Sequence, residues 1–315
     1  TIGNSVFLNC KKLEHVDFQN VNTIGERAFE NCESLIELKL PNSITSIGNS
    51  VCINCKKLER VDLANATNIG EGVFENCEKL VDVKLPSSLT MINDSVFKGC
   101  LSLKNVNIPN NMTSIGANCF EGCKGMLHLY LPPSVKTIGS SAFKDCSGLR
   151  GIGVPPSLTE IAPFLFSGCK DILTIKIPET VKVIRKGAFK DCKEIMKLEI
   201  PYSVQSIEEN AFEGCTSLND ITLPYDLSII KKFTFYGCSS LKKMFVPSSV
   251  KSVEESAFEN CSKLEQVSLP SKVTSVGDKA FKGCTSLEHV TIPKSLISIG
   301  KDAFEEKTKR YQFDI

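Results

Sequence analysis

Cysteine stands at positions 10, 32, 55, 77 and 100, and then every 23 residues to 284. The first three steps are 22, 23 and 22 residues, and every later step is 23. Phenylalanine sits three residues before each of these cysteines, from Phe7, Phe29 and Phe74 to Phe281, with one exception, Cys52. The pattern runs on to Phe304, where Lys307 replaces the cysteine. A period of this length, held along a chain of 315 residues, specifies a solenoid of stacked coils and overrides residue-by-residue assignment. No coil of such a stack buries its core alone, so stability is a sum over neighbours.

One full unit, residues 264–286, reads L-E-Q-V-S-L-P-S-K-V-T-S-V-G-D-K-A-F-K-G-C-T-S. Its L-x-x-V-x-L segment predicts a short strand, with apolar residues turned inward and the third and fifth residues turned out. Proline ends the strand in most coils, from Pro41 and Pro86 to Pro293, because it lacks the N–H that a longer ladder needs. The two short coils contain D-F-Q-N-V-N-T-I-G (17–25) and D-L-A-N-A-T-N-I-G (62–70), and both lack that proline. Glycine after the Ile is expected to permit a turn. The A-F-x-x-C arc is too short for a stable helix and predicts one helical or 3₁₀ turn.

The recurring P-x-S-V-x-x-I-G-x-x-A-F-x-x-C-x-x-L resembles the BspA-like, Treponema-type class of the leucine-rich repeat family, over nearly the whole chain. The resemblance implies a curved right-handed solenoid, with a parallel β-sheet on the concave face. Short turns, 3₁₀ or helical segments are implied on the convex face. In the plain leucine-rich pattern an Asn ladder follows the strand. Here that position carries mostly hydroxyls, including Ser43, Ser134, Ser203 and Ser295, with Asn111 keeping the amide and Asp226 and Lys272 breaking the column.

Residues 1–315 are therefore expected to form a single solenoid of about 13 repeats. Residues 305–315 would form a cap or last strand, with Phe313 and Ile315 at core positions. The first residues start in mid-repeat without a cap, basic start or apolar block, so a fragment or mature form is expected.

Thirty-seven basic and 36 acidic side chains leave a net charge of +1, which gives no pull toward nucleic acid. No apolar run approaches the ~18 residues of a membrane span. The periodic cysteines are expected to be buried free thiols, since stacked parallel side chains are poorly aimed at one another for disulfides. A straight column cannot enclose zinc tetrahedrally. Cys52-Ile53-Asn54-Cys55 has the C-x-x-C spacing of redox dithiols. In register, however, it is V-F-x-x-C with Phe exchanged for Cys, which makes it a packing weak point. His15, His128 and His289 share one strand position in strands one, six and thirteen. Strands five apart are ~24 Å distant, so no histidine-based centre is expected. Each glycine of an I-G pair is isolated, so no phosphate loop is expected either. The chain reads as non-catalytic and free of cofactors and metals. Asn65, Asn93, Asn111 and Asn260 head N-x-S/T triplets, a weak signal.

Function is then expected where exposed positions vary between coils. The first four strands carry His15/Asp17, Glu37/Lys39, Arg60/Asp62 and Asp82/Lys84, a checkerboard of opposite charges. Farther along, Gly151 and Gly153 leave bare backbone beside His128 and Tyr130. Lys176, Lys197, Lys243 and Phe245 follow, while Tyr202 and Tyr225 come after the prolines of consecutive coils and should stack along one rim. These ten residues form the candidate contact surface for a protein or glycan partner, with the chain acting as a monomer. The family resemblance implies proteins of the cell surface or secreted proteins that bind host matrix or other cells. The alternative is a cytoplasmic scaffold or regulatory subunit of a signalling enzyme.

Overall fold

The computed structural model describes residues 1–63 and 65–312, arranged as two compact units, Thr1–Ser157 and Leu158–Ile315. Phe313 and Ile315 lie outside the described residues. Both units are parallel β-solenoids of stacked coils, and every strand pair is parallel.

Each coil contributes up to two short strands. In the N-terminal unit the L-x-x-V-x-L segments give Glu37–Lys39, Arg60–Asp62, Asp82–Lys84 and Asn105–Val106 as one four-stranded sheet. The I-G segments give a second ladder, such as Thr23–Ile24, Ser46–Ile47 and Asn68–Ile69. The C-terminal unit repeats both ladders, and one sheet joins Lys243–Phe245, Gln266–Ser268, His289–Ile292 and Lys309–Gln312. Lys309 pairs with His289 and Gln312 with Ile292. Register is strictly coil to coil: Glu37 faces Arg60, and Arg60 faces Asp82.

The A-F-x-x-C arc departs from the sequence expectation. Among the described residues there is no helix. Two residues of each arc take left-handed backbone angles, as at Ser50 (φ 57) and Asn54 (φ 59), and a residue in that region interrupts any helix. The arc folds as successive turns, with Cys32 N donating to Phe29 O at 3.1 Å and Leu35 N to Cys32 O at 3.0 Å. Its alternate N–H groups point to the next coil: Arg27, Phe29 and Asn31 donate to Asn49, Val51 and Ile53 at 2.8–3.0 Å. The arc is thus a third ladder between coils. This also explains why the column before each Cys is Asn, Asp or Gly, the residues that tolerate φ > 0 best.

The glycine of I-G is likewise corrected. A Cβ on Gly116 would lie 2.5 Å from the carbonyl carbon of Asn93 and the nitrogen of Asp94. The glycine is there because adjacent coils touch backbone to backbone, and not to permit a turn.

The core is a set of stacked columns. Phe rings stack face to face, 5.0–5.8 Å apart in the N-terminal unit and 5.1–5.6 Å in the C-terminal one. Phe29, Phe120, Phe212 and Phe258 are fully buried. The cysteine column beside them also bonds. Cys55 Sγ donates to Phe29 O at 3.2 Å, and Cys100, Cys192 and Cys261 repeat the contact one coil back at 3.1 Å. A small side chain with a weak donor fits there. The post-strand serines donate to the preceding coil too, Ser43 to Val21 O at 2.9 Å and Ser295 to Val273 O at 2.7 Å. A true asparagine ladder lies elsewhere: Asn31 donates to Asn9 at 2.7 Å, Asn54 to Asn31 at 2.8 Å and Asn76 to Asn54 at 3.0 Å.

Candidate functional site

Catalytic chemistry finds little support in the arrangement of titratable groups. Among the described residues no three His, Cys, Asp or Glu side chains lie together as metal ligands. Fourteen of the fifteen cysteines are buried, Cys10 being the exposed one. Burial pushes the Cys146 and Cys215 thiols up to about 12. Cys52 is raised as well, first by its hydrogen bond with Cys55 and then by burial. A redox or nucleophilic C-x-x-C needs the opposite shift, toward thiolate. Three N-x-S/T asparagines are engaged: Asn65 donates to Asn42 O, Asn93 to Ile69 O and Asn260 to the Tyr236 hydroxyl.

The outward face of the strands carries the candidate residues, and each unit presents its own set. In the N-terminal unit, Lys84 pairs with Asp62 across strands at 2.9 Å, whereas Lys39 turns back onto Glu37 of its own strand at 3.1 Å. His128 lies directly opposite Gly151 on neighbouring strands. A Cβ on Gly151 or Gly153 would meet nothing within 4 Å, so this backbone is open. Tyr130, two residues beyond His128, is 67% exposed.

In the C-terminal unit, Tyr202 and Tyr225 stack with ring centroids 5.1 Å apart and planes within 7°. Their one-coil spacing forces this contact. The hydrogen bond to Tyr225, and secondly its charge, holds the Tyr202 hydroxyl above its ordinary pKa. Lys197 lies between Glu199 at 3.3 Å and Asp220 at 3.6 Å, and these carboxylates raise its pKa. Neither Lys176 nor Lys243 has an ion pair among the described residues. Phe245 projects from Lys243–Phe245 with 79% of its surface exposed.

Three of these residues, Lys176, Lys197 and Tyr202, share one open groove of about 550 Å³. Lys243, Phe245 and Tyr225 do not line it. The groove also takes in Thr174, Glu179, Glu199 and Thr222, which sequence reading passed over. The repeat itself carried the signal. Glu179 is 23 residues before Tyr202 and occupies the same post-proline position, while Glu199 and Thr222 continue the outward strand column.

The family model described as a BspA type leucine rich repeat region of six copies matches three overlapping stretches, residues 1–127, 113–204 and 182–310. A leucine-rich repeat protein from Bacteroides ovatus is 29% identical, with a TM-score of 0.63, covering 89% of this chain and 92% of its own. A leucine rich cell surface protein from Faecalibacterium prausnitzii is 27% identical, with a TM-score of 0.64, covering 94% and 87%. A leucine-rich repeat protein from Eubacterium ventriosum shares the fold at 22% identity, with a TM-score of 0.62 and coverage of 92% and 82%. No curated protein matches the chain.

Proposed function

The chain belongs to the BspA type leucine rich repeat family, and from that premise we propose that it is a non-catalytic recognition module whose strand face binds a protein or glycan partner. The observation that carries this reading is the contrast between constant core columns and a variable outer face. Phe, Cys and Ile recur because stacking demands them, whereas the outward strand positions run from paired charges to exposed aromatics. Phe245 is 79% exposed two residues from Lys243, and aromatic and cationic side chains are enriched as anchors of interfaces. The cell-surface description of the Faecalibacterium relative supports a surface or secreted setting. The second reading, an intracellular scaffold, draws on fourteen buried thiols, which suit a reducing compartment.

The test uses the immobilised chain to capture a partner, followed by direct affinity measurement with that partner. Lys243→Ala combined with Phe245→Ala is expected to weaken binding at least about tenfold, and Tyr130→Ala to weaken it less. Both variants should melt as the wild type does. Unchanged affinity in both would remove the strand face from the binding surface.

A further inference from the structure

We propose that the groove beside Tyr202 is a subsite for a neutral pyranose sugar, with the Tyr202 ring as its stacking face. The proposal rests on the reading that the strand face is a recognition surface, and it names the ligand class at one place on it.

The ring is the first argument. Tyr225 comes from the coil after Tyr202 and covers one of its faces. The opposite face therefore looks toward the preceding coil, where Glu179 holds the equivalent position. Tyr202 and Glu179 line the groove and Tyr225 does not. The groove wall is thus an aromatic face held in place from behind, so little rotamer freedom is lost when a ligand meets it. The negative face of an aromatic ring attracts the weakly positive C–H groups of an apolar sugar face.

The second argument is the set of polar groups. The Lys176 and Lys197 ammoniums only donate, the Glu179 and Glu199 carboxylates only accept, and the Thr222 hydroxyl does both. Sugar hydroxyls are donors and acceptors on the same atom, and a groove carrying both kinds of partner suits them. Two ammoniums against two carboxylates leave the lining without net charge. A charged ligand would gain at one pair and lose at the other, so the balance favours a neutral one.

The third argument separates a sugar from a protein side chain. Ile175, Ile177 and Ile200 beneath the groove are buried in the core. They therefore present little apolar surface of their own to an aliphatic or aromatic anchor, the contact on which interface hot spots rely. What remains is one ring face and a polar rim, which matches an amphipathic ring and not a hydrophobic knob.

The experiment is a glycan array carrying neutral oligosaccharides, ending in galactose, glucose, mannose or N-acetylhexosamine, together with uronate- and sialate-bearing ones. Calorimetry of the best neutral glycan follows. Binding by a neutral glycan that barely changes with salt is expected. Tyr202→Ala should weaken it at least about tenfold, and Tyr202→Phe, which keeps the ring, should stay within about threefold. Tyr225→Ala should fall between them, because it releases the ring without removing it. Absence of any neutral ligand, selective binding of acidic glycans, or full affinity in Tyr202→Ala would each overturn the subsite. Lys243 and Phe245 lie outside the groove, so they separate this proposal from the broader one. If partner capture depends on them while no glycan binds, the recognition face stands and the sugar subsite falls. If glycan binding depends on Tyr202 while capture ignores Lys243 and Phe245, the subsite stands and the wider contact surface falls.

Discussion

The N-terminal and C-terminal units are written in one repeat, yet they solve the contact between coils differently. In the N-terminal unit the I-G glycine lets backbones meet, and an Asx of the preceding coil reaches forward beside it. Asn4 accepts from Glu26 N, Asn49 from Glu71 N and Asp94 from Ala117 N, at 2.7–2.9 Å. In five coils of the C-terminal unit the glycine is replaced by Ala162, Arg185, Glu208, Lys231 and Glu254. There the same backbone N–H is satisfied from the following coil: Glu208 accepts from Lys186 N at 3.0 Å and Glu254 from Lys232 N at 3.1 Å. Alternating charges join neighbouring coils, with Arg185 between Glu160 at 2.7 Å and Glu208 at 3.0 Å. Where glycine returns, at Gly277 and Gly300, the Asx cap returns with it, from Asp278 to Lys301 N. The lesson is that the glycine and its Asx cap form one device and the glutamate column another. Either closes the coil, so the outer face remains free to vary.

The largest expected difference between the units is in alkali. The N-terminal unit holds eight buried thiols and the C-terminal unit six, and burial raises such thiols in both, among them Cys77, Cys100 and Cys123 in the first and Cys192, Cys215 and Cys238 in the second. A thiol whose folded pKa lies above its unfolded value of 9.0 keeps its proton in the fold while the unfolded chain loses it. The folded state then binds more protons, so stability is complete below pH 9 and falls as pH rises toward the folded value near 12. Each such thiol costs up to about 1.4 kcal/mol per pH unit in that window. Hydrogen exchange between pH 8 and pH 11 should show the N-terminal unit losing protection first. Earlier loss in the C-terminal unit would break the comparison.

Next in size is the glycine device. Gly116→Ala would drive a methyl into the Asn93–Asp94 backbone and displace the Asp94 carboxylate from Ala117 N. A loss of about 3 kcal/mol is expected. Ala162→Gly, at the same column where alanine is native, should cost only about 1 kcal/mol through chain entropy. Urea unfolding of both variants measures the contrast, and equal losses would mean that the column is equivalent in the two units.

These columns also mark what the sequence could and could not convey. Period, core, strand register and the Tyr202–Tyr225 stack are legible because one residue spacing dictates all four. The brevity of A-F-x-x-C makes it legible as a turn, but only the hydrogen bonds of Phe29 N to Val51 O and its equivalents reveal a ladder between coils. The role of Gly116 was hidden for a similar reason. Residue identity records that a side chain is absent, but not which neighbouring backbone occupies its place. Thr174, Glu199 and Thr222 are legible as outward strand positions, but that they share a groove with Glu179 and Tyr202 emerges only once the coils are stacked.

The smallest effect concerns the one break in the aromatic column. In the C-terminal unit the stack passes without interruption from Phe166 through Phe189, Phe212, Phe235, Phe258 and Phe281 to Phe304. In the N-terminal unit Cys52 stands between Phe29 and Phe74, fully buried. Its neighbour Val51 is larger than the alanine found in coils such as those of Ala28 and Ala142, but Val73 and Val96 coexist with Phe74 and Phe97. The extra methyl groups therefore do not exclude a ring. Cys52→Phe should restore two stacked contacts and remove the Cys52–Cys55 hydrogen bond, a weak one between thiols. A net gain of about 1 kcal/mol is expected, read as a higher melting temperature. A lower one would show that the side chains around Cys52 have closed the space, and that the N-terminal unit is repacked at this coil instead of merely lacking a ring.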